Sequence, residues 1–180
     1  MSVPNFYVIT GASGAGKSTL LQALAERGYN VVTEAALALV QEQERTGGDL
    51  LPWTRRDEFM REVLARNIRA YEAALSLEGP VFFDRAVPEC LAHMKLQGME
   101  VREEEARTCQ RLRYAKTVFV AEPWPEIYVC DQWRRASFER AQRSYEATVA
   151  AYVDDGYEAC ILPKLSIEER VEFVVRCIKA

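Results

Sequence analysis

The sequence predicts an α/β domain in which a parallel sheet is covered by helices on both faces. Three observations carry that expectation. Five short apolar runs alternate with helical stretches, glycine or proline punctuates the joins, and a glycine-rich turn follows the first run. Strands buried on both faces read as continuous apolar runs, and helical crossovers between parallel strands are right-handed.

The 180 residues amount to one domain, 1–180. With 49% hydrophobic and 28% charged residues the chain can build a core, which argues against disorder. No apolar run approaches a membrane span, and Met1-Ser2-Val3-Pro4-Asn5 lacks the basic and apolar regions of a secretory signal. The expected setting is the cytoplasm. A net charge of −4 gives no general attraction to nucleic acid, and none is expected as a partner. Five cysteines without a C-x-x-C pair, and one histidine, His93, point to reduced thiols rather than zinc or disulfides. His93 is given no role.

Phe6–Thr10 is the first strand, and Lys17–Arg27 is a helix stopped at Gly28. Asn30–Thr33 is the second strand, followed by a helix over Glu34–Glu44. Thr54, with Asp57 three residues on, resembles a capping box that opens a helix running to Gly79-Pro80. Val81–Asp84 is the third strand. Helices near Pro88–Gln97 and Arg102–Arg113 follow, separated by Gly98. Thr117–Ala121 is the fourth strand, and Pro123-Trp124-Pro125 is a loop. A long helix over Asp131–Asp155 precedes the fifth strand, Glu158–Leu162. Ser166 and Glu169 form a second capping box, whose helix carries Val171, Val174, Val175 and Ile178 on one stripe.

Gly11-Ala12-Ser13-Gly14-Ala15-Gly16-Lys17-Ser18 satisfies G-x-x-x-x-G-K-[ST] between a predicted strand and a predicted helix. Such a match arises by chance roughly once in a few hundred chains of this length. The glycines let backbone N–H groups surround phosphate oxygens, and the helix N-terminus adds partial positive charge. Residues 11–18 with Thr19 are therefore the expected ATP-binding loop. Lys17 reaches the β- and γ-phosphates and Ser18 serves Mg²⁺; a plain flexible turn is the alternative.

Asp84, at the carboxyl end of a buried strand, is placed to hold Mg²⁺ directly or through water, and Arg85 to touch phosphate. The alternative is a surface ion pair between the two. Glu34 ends the second strand near the same crevice, where it either takes a proton from an acceptor hydroxyl or favours a helix dipole. Arg134 lies four residues before Phe138 and shares its helix face, with Arg135 offset by about 100°. Both suit the neutralisation of charge in phosphoryl transfer, with a solvated face as the alternative. Arg140 and Arg143 face away, beside Glu139 and Glu146. Arg55 and Arg56 open a helix after a loop carrying Trp53, and Arg56 is a candidate acceptor contact, with ordinary surface arginines as the alternative. Trp124 and Trp133 flank the loop before the arginines, as lid anchors or core.

On these residues the chain resembles the small P-loop kinases, which include nucleoside and nucleotide kinases. More narrowly, it resembles the AAA-type P-loop kinase-like family related to the ribosylnicotinamide kinase domain of NadR. The likeness runs through residues 11–18, Val-Val-Thr-Glu at 31–34, Phe-Phe-Asp-Arg at 82–85, residues 118–128, Arg-Arg-Ala-Ser-Phe-Glu at 134–139, and the 156–163 close. It implies a P-loop NTPase three-layer sandwich with a five-stranded parallel sheet of order 2-3-1-4-5. It also implies Mg-ATP as donor and an arginine-bearing lid at about 123–145. Trp133 departs from the acidic residue that many relatives carry there.

The expected activity is transfer of the ATP γ-phosphate to a small acceptor such as a nucleoside, nucleotide or ribosylnicotinamide. The alternative is a nucleotide-binding switch acting through a protein or lipid partner. A guanine-reading N-K-x-D motif is missing, since Lys116-Thr117-Val118 does not supply it. A nucleic-acid ATPase is disfavoured by the acidic charge balance and the lack of a second domain.

Overall fold

Short runs that are apolar on both sides can only be satisfied between two helical layers, and that is how they are arranged. The computed structural model describes residues 4–127 and 138–179, except for the side chains of Phe138, Arg140 and Ala141. In chain order the elements are β1 (Phe6–Gly11), α1 (Lys17–Glu26), β2 (Asn30–Val32), α2 (Ala35–Thr46), α3 (Arg56–Ala74), β3 (Val81–Asp84), α4 (Val87–Leu96) and α5 (Glu103–Arg111). Then come β4 (Thr117–Ala121), a 3₁₀ turn at Pro125–Ile127, α6 (Phe138–Asp154), β5 (Glu158–Ile161) and α7 (Ile167–Lys179).

The five strands are parallel in the order β2-β3-β1-β4-β5, as the resemblance implies. Alternate side chains feed two cores. Val8, Phe83, Val118 and Val120 meet Leu39, Val63, Tyr71, Met94 and Tyr152 from α2, α3, α4 and α6 on one face. Ile9, Phe82 and Phe119 meet Leu20 and Leu24 of α1 and Val171 and Val174 of α7 on the other. Each such side chain stabilises the fold by roughly 1.5–3 kcal/mol through burial. Both faces of β1, β3 and β4 are thus dry, and functional groups concentrate where their carboxyl ends meet the helices.

The capping box on α7 forms: Ser166 Oγ accepts from the Glu169 amide at 3.3 Å, and Glu169 Oε2 accepts from the Ser166 amide at 3.1 Å. The one expected at Thr54 does not. Helix α3 begins at Arg56, the Thr54 amide is used in a turn onto Leu51 O (3.1 Å), and Asp57 is engaged by Arg56. A cap contributes only about 1 kcal/mol, so the turn at 51–55 overrides it. The basic helix start is balanced instead by ion pairs from Arg55 to Asp49 and Glu58. The same helix stops at Ala74, short of Gly79-Pro80, because Ser76 caps it by donating to Ala73 O at 2.9 Å.

For α6 the described part starts at Phe138, so the expected start at 131 lies outside the described residues. So do Arg134, Arg135, Trp133 and Cys130. The four described cysteines, Cys90, Cys109, Cys160 and Cys177, are free thiols. Among the described residues no helix is long and apolar enough to cross a membrane.

Gly11 closes β1 where the chain leaves the sheet, at φ 118°, and a Cβ there would lie 2.1 Å from Ala121 O on β4. The clash is with backbone, which cannot rotate away. Gly11→Ala is therefore expected to lower the unfolding free energy by about 3 kcal/mol or more, measured by urea unfolding.

Candidate active site: a phosphate loop and the cavity beside it

Residues 12–16 leave β1 and return as α1, with Gly14 and Gly16 at φ 75°. The left-handed turns let successive N–H groups converge, and α1 starts directly after them. Lys17, the first helical residue, is 6% exposed. Its Nζ donates to Ala12 O at 2.6 Å and to Gly11 O at 3.3 Å, so the ammonium is folded over its own loop. Burial, with some help from the charge of Arg85, pulls its pKa down to about 8 against the pull of Asp84, Glu34 and Glu89.

Asp84 ends β3 and is 5% exposed, so the surface ion pair considered for Asp84 and Arg85 is not what forms. Ser18 Oγ donates to its Oδ2 at 3.4 Å, while Oδ1 is buried with no partner among the described residues. Burial first, then the charge of Glu34, raises the Asp84 pKa to about 6; Lys17 and Arg85 oppose this. A buried carboxylate oxygen without a donor, beside a hydroxyl, fits a hard cation such as Mg²⁺. That ion takes one or two protein oxygens and completes its shell with phosphates and water. Ser18 and Asp84 would hold it.

Arg85 adopts φ 66°, the one non-glycine residue with positive φ among those described. Three interactions compensate the strain. Its Nη1 meets Glu89 Oε1 at 2.6 Å, its Nε meets Glu34 Oε1 at 3.3 Å, and its Nη2 donates to Gly11 O at 3.4 Å. Burial works against its charge, but Glu89 and Glu34 outweigh burial and raise its pKa. Glu34 stands at the start of α2, within reach of Arg85, and close enough to Asp84 for their charges to interact.

Glu89 is a residue that sequence reasoning missed. Buried in the first turn of α4, its Oε2 accepts from Thr10 Oγ1 at 2.5 Å and from Tyr152 OH at 3.1 Å, while Oε1 binds Arg85. It ties β1, α4 and α6 together behind the arginine. The only hint in the sequence is an acidic residue four positions after Arg85.

Glu34, Arg85 and Glu89 form one end of a cavity of about 410 Å³ that also takes in the exposed Arg56. Its walls are Phe59, Met60 and Val63 of α3, with Cys90 and His93 of α4. Asn67, 6% exposed, lies on the same wall; its amide donates to Val63 O (3.0 Å) and Cys90 Sγ (3.4 Å), which orients its carbonyl oxygen. His93 contacts the Gln97 side chain on the cavity wall, a place the sequence did not assign it. Trp53 is 49% exposed and does not line the cavity.

A family model described as an AAA domain matches residues 6–170. No curated protein matches the chain significantly in sequence. Several solved structures are similar to it. Deoxyadenosine kinase from M. mycoides, with dCMP and dCDP bound, superposes with a TM-score of 0.61 at 17% identity, covering 97% of this chain and 98% of that one. Thymidylate kinase from Ehrlichia chaffeensis gives 0.59 at 16%, covering 97% and 98%. NadR in complex with NR gives 0.65 at 15%, covering 98% of this chain and 51% of that protein, about half its length. At these identities the likeness is one of fold.

Proposed function

The chain belongs to the AAA domain family, and from that premise we propose that it is a phosphotransferase moving the γ-phosphoryl group of Mg-ATP to the hydroxyl of a small acceptor. A nucleoside or a ribosylated base such as ribosylnicotinamide suits the cavity better than a nucleotide. The observation that carries this reading is the cavity's position: its charged end, Glu34 and Arg85, adjoins the phosphate loop through Asp84 and Lys17. Its volume of about 410 Å³ lies within the range of small-molecule sites.

In this reading the loop amides and Lys17 hold the donor's phosphates. Mg²⁺, when bound, neutralises charge on the transferred group. Asp84 and Ser18 orient oxygens at that place, and Arg85 and Arg56 hydrogen-bond the acceptor. Glu34 takes the proton of the acceptor hydroxyl as the new O–P bond forms and the bond from the γ-phosphorus to the β–γ bridging oxygen breaks, releasing ADP. Arg134 and Arg135 belong to the same proposal as groups that neutralise transition-state charge. The preference for an uncharged acceptor follows from the arginines. Arg85 already faces two carboxylates, Glu34 and Glu89, which leaves little net positive charge at that end of the cavity for an acceptor phosphate. We place the activity in the cytoplasm, where Mg-ATP is available and free thiols stay reduced.

Mg-ATP-dependent ADP release should rise with pooled nucleosides or nicotinamide riboside and stay flat with nucleoside monophosphates, with Lys17→Ala as the blank. Glu34→Gln should lower kcat roughly a hundredfold with little change in acceptor KM. Full activity in Glu34→Gln would sink the base assignment, and stimulation confined to monophosphates would overturn the acceptor preference. Tight nucleotide binding without acceptor-stimulated release would favour a nucleotide-dependent switch.

A further inference from the structure

Arg170 closes the first turn of α7, on the sheet face opposite the cavity, and is 2% exposed. Its Nη1 donates to Ala15 O in the phosphate loop at 3.2 Å, and its guanidinium lies 5.8 Å from the Trp124 ring centroid. Its Nε is buried with no partner among the described residues. No described carboxylate pairs with it. Glu169 is turned onto the Ser166 cap, and Glu122 lies 4.0 Å from Lys164. The fit to the loop is close, since a Cβ on Gly16 would sit 2.9 Å from Arg170 Nη1.

A buried cation without a counter-charge is costly, and a fold keeps one where something else supplies the charge. The peptide joining Ala15 to Gly16 is trans, so its C=O and N–H point in opposite directions. Drawing the carbonyl toward α7 turns the Gly16 N–H toward the loop's concave side. We propose that Arg170 is a positioning residue for the donor phosphates: it fixes the Ala15–Gly16 peptide and holds a buried positive charge that a bound polyphosphate balances. This rests on the reading of residues 11–18 as a phosphate loop. It requires nothing of the acceptor cavity.

Two properties should then separate. The free protein carries Arg170 at a cost, whereas the liganded protein uses it. Arg170→Met, similar in length and uncharged, should leave the Tm of the free protein within about 2 °C of the unchanged chain, or above it. Affinity for sodium tripolyphosphate, and for ATP, should fall roughly ten- to a hundredfold by isothermal titration, the size of a charge-assisted interaction. Arg170→Lys keeps the charge and should recover most of that loss. A residue that only packs gives the reverse pattern. An Arg170→Met protein that melts well below the unchanged chain, fails to fold, or binds tripolyphosphate as tightly overturns the proposal. So does an Arg170→Lys protein as weak as Arg170→Met. If the unchanged chain binds neither tripolyphosphate nor ATP, the phosphate-loop reading itself falls, and that result is distinct from the others.

Discussion

Asp84→Asn is expected to make the protein more stable at pH 7 and, on the proposed function, to remove acceptor-stimulated ADP release. In the folded chain the Asp84 pKa stands at about 6 against an ordinary 3.8, through burial and then the charge of Glu34. A folded-state pKa above the unfolded one means that the folded form binds the proton more tightly. The stabilisation is complete below about pH 4 and is lost as pH rises through 6. By pH 7 the ionised side chain costs roughly 2–3 kcal/mol, at about 1.4 kcal/mol per pKa unit. Asparagine has no charge to bury and keeps an oxygen for Ser18. Urea unfolding between pH 4 and 7 checks this: the unchanged chain should lose stability relative to Asp84→Asn across that interval. Parallel curves would show that Asp84 is not held at a cost. On the proposed function the same substitution removes the anionic oxygen that would hold Mg²⁺, so acceptor-stimulated ADP release should drop on the order of a hundred- to a thousandfold. A stable, inactive variant would mean that the site is maintained against the fold's own preference.

Lys17→Met is the second large effect, and its sign with pH is opposite. Burial pulls the Lys17 pKa down to about 8 from 10.5, so the unfolded chain binds the extra proton between those values. Stability from this group therefore rises as pH climbs from about 8 to 10.5 and is absent below 8. At pH 7 the charged lysine costs roughly 3 kcal/mol, which Lys17→Met should recover in part by unfolding measurements. For ligand binding the proton matters differently. The ammonium lies on Ala12 O and Gly11 O, and on the proposed function it would turn to phosphate. ATP affinity of the unchanged chain should weaken above about pH 8, by up to tenfold per pH unit. Lys17→Met should bind ATP roughly a hundredfold more weakly at pH 7, with no such pH dependence. An unchanged chain whose ATP affinity is flat from pH 7 to 10 would contradict the low lysine pKa.

Much of the architecture was legible without coordinates. β1, β3 and β4 announce themselves as continuous apolar runs because both their faces are dry. The Ser166–Glu169 cap was readable because it spans four residues and faces no rival. Thr54 presented the same signature and failed, since the turn from Leu51 claimed its amide. The phosphate loop was legible because all its donors are contiguous, so their spacing is set by the chain itself.

What escaped were the groups that act across long separations. Thr10 and Tyr152 reach Glu89 across 79 and 63 positions, and Arg170 reaches Ala15 across 155. Asn67 gave no local signal either, because it lines a cavity whose other walls are built by elements distant in sequence. The sequence by itself determined that this chain folds as an α/β sandwich and presents a phosphate loop at the end of β1. The tertiary structure alone decided which charges are buried together: Lys17 beside Asp84, Arg85 between two carboxylates, Arg170 behind the loop. Spacing along the chain fixes which groups are local neighbours, but a group's charge state and reach depend on its loss of water and on partners brought in by folding.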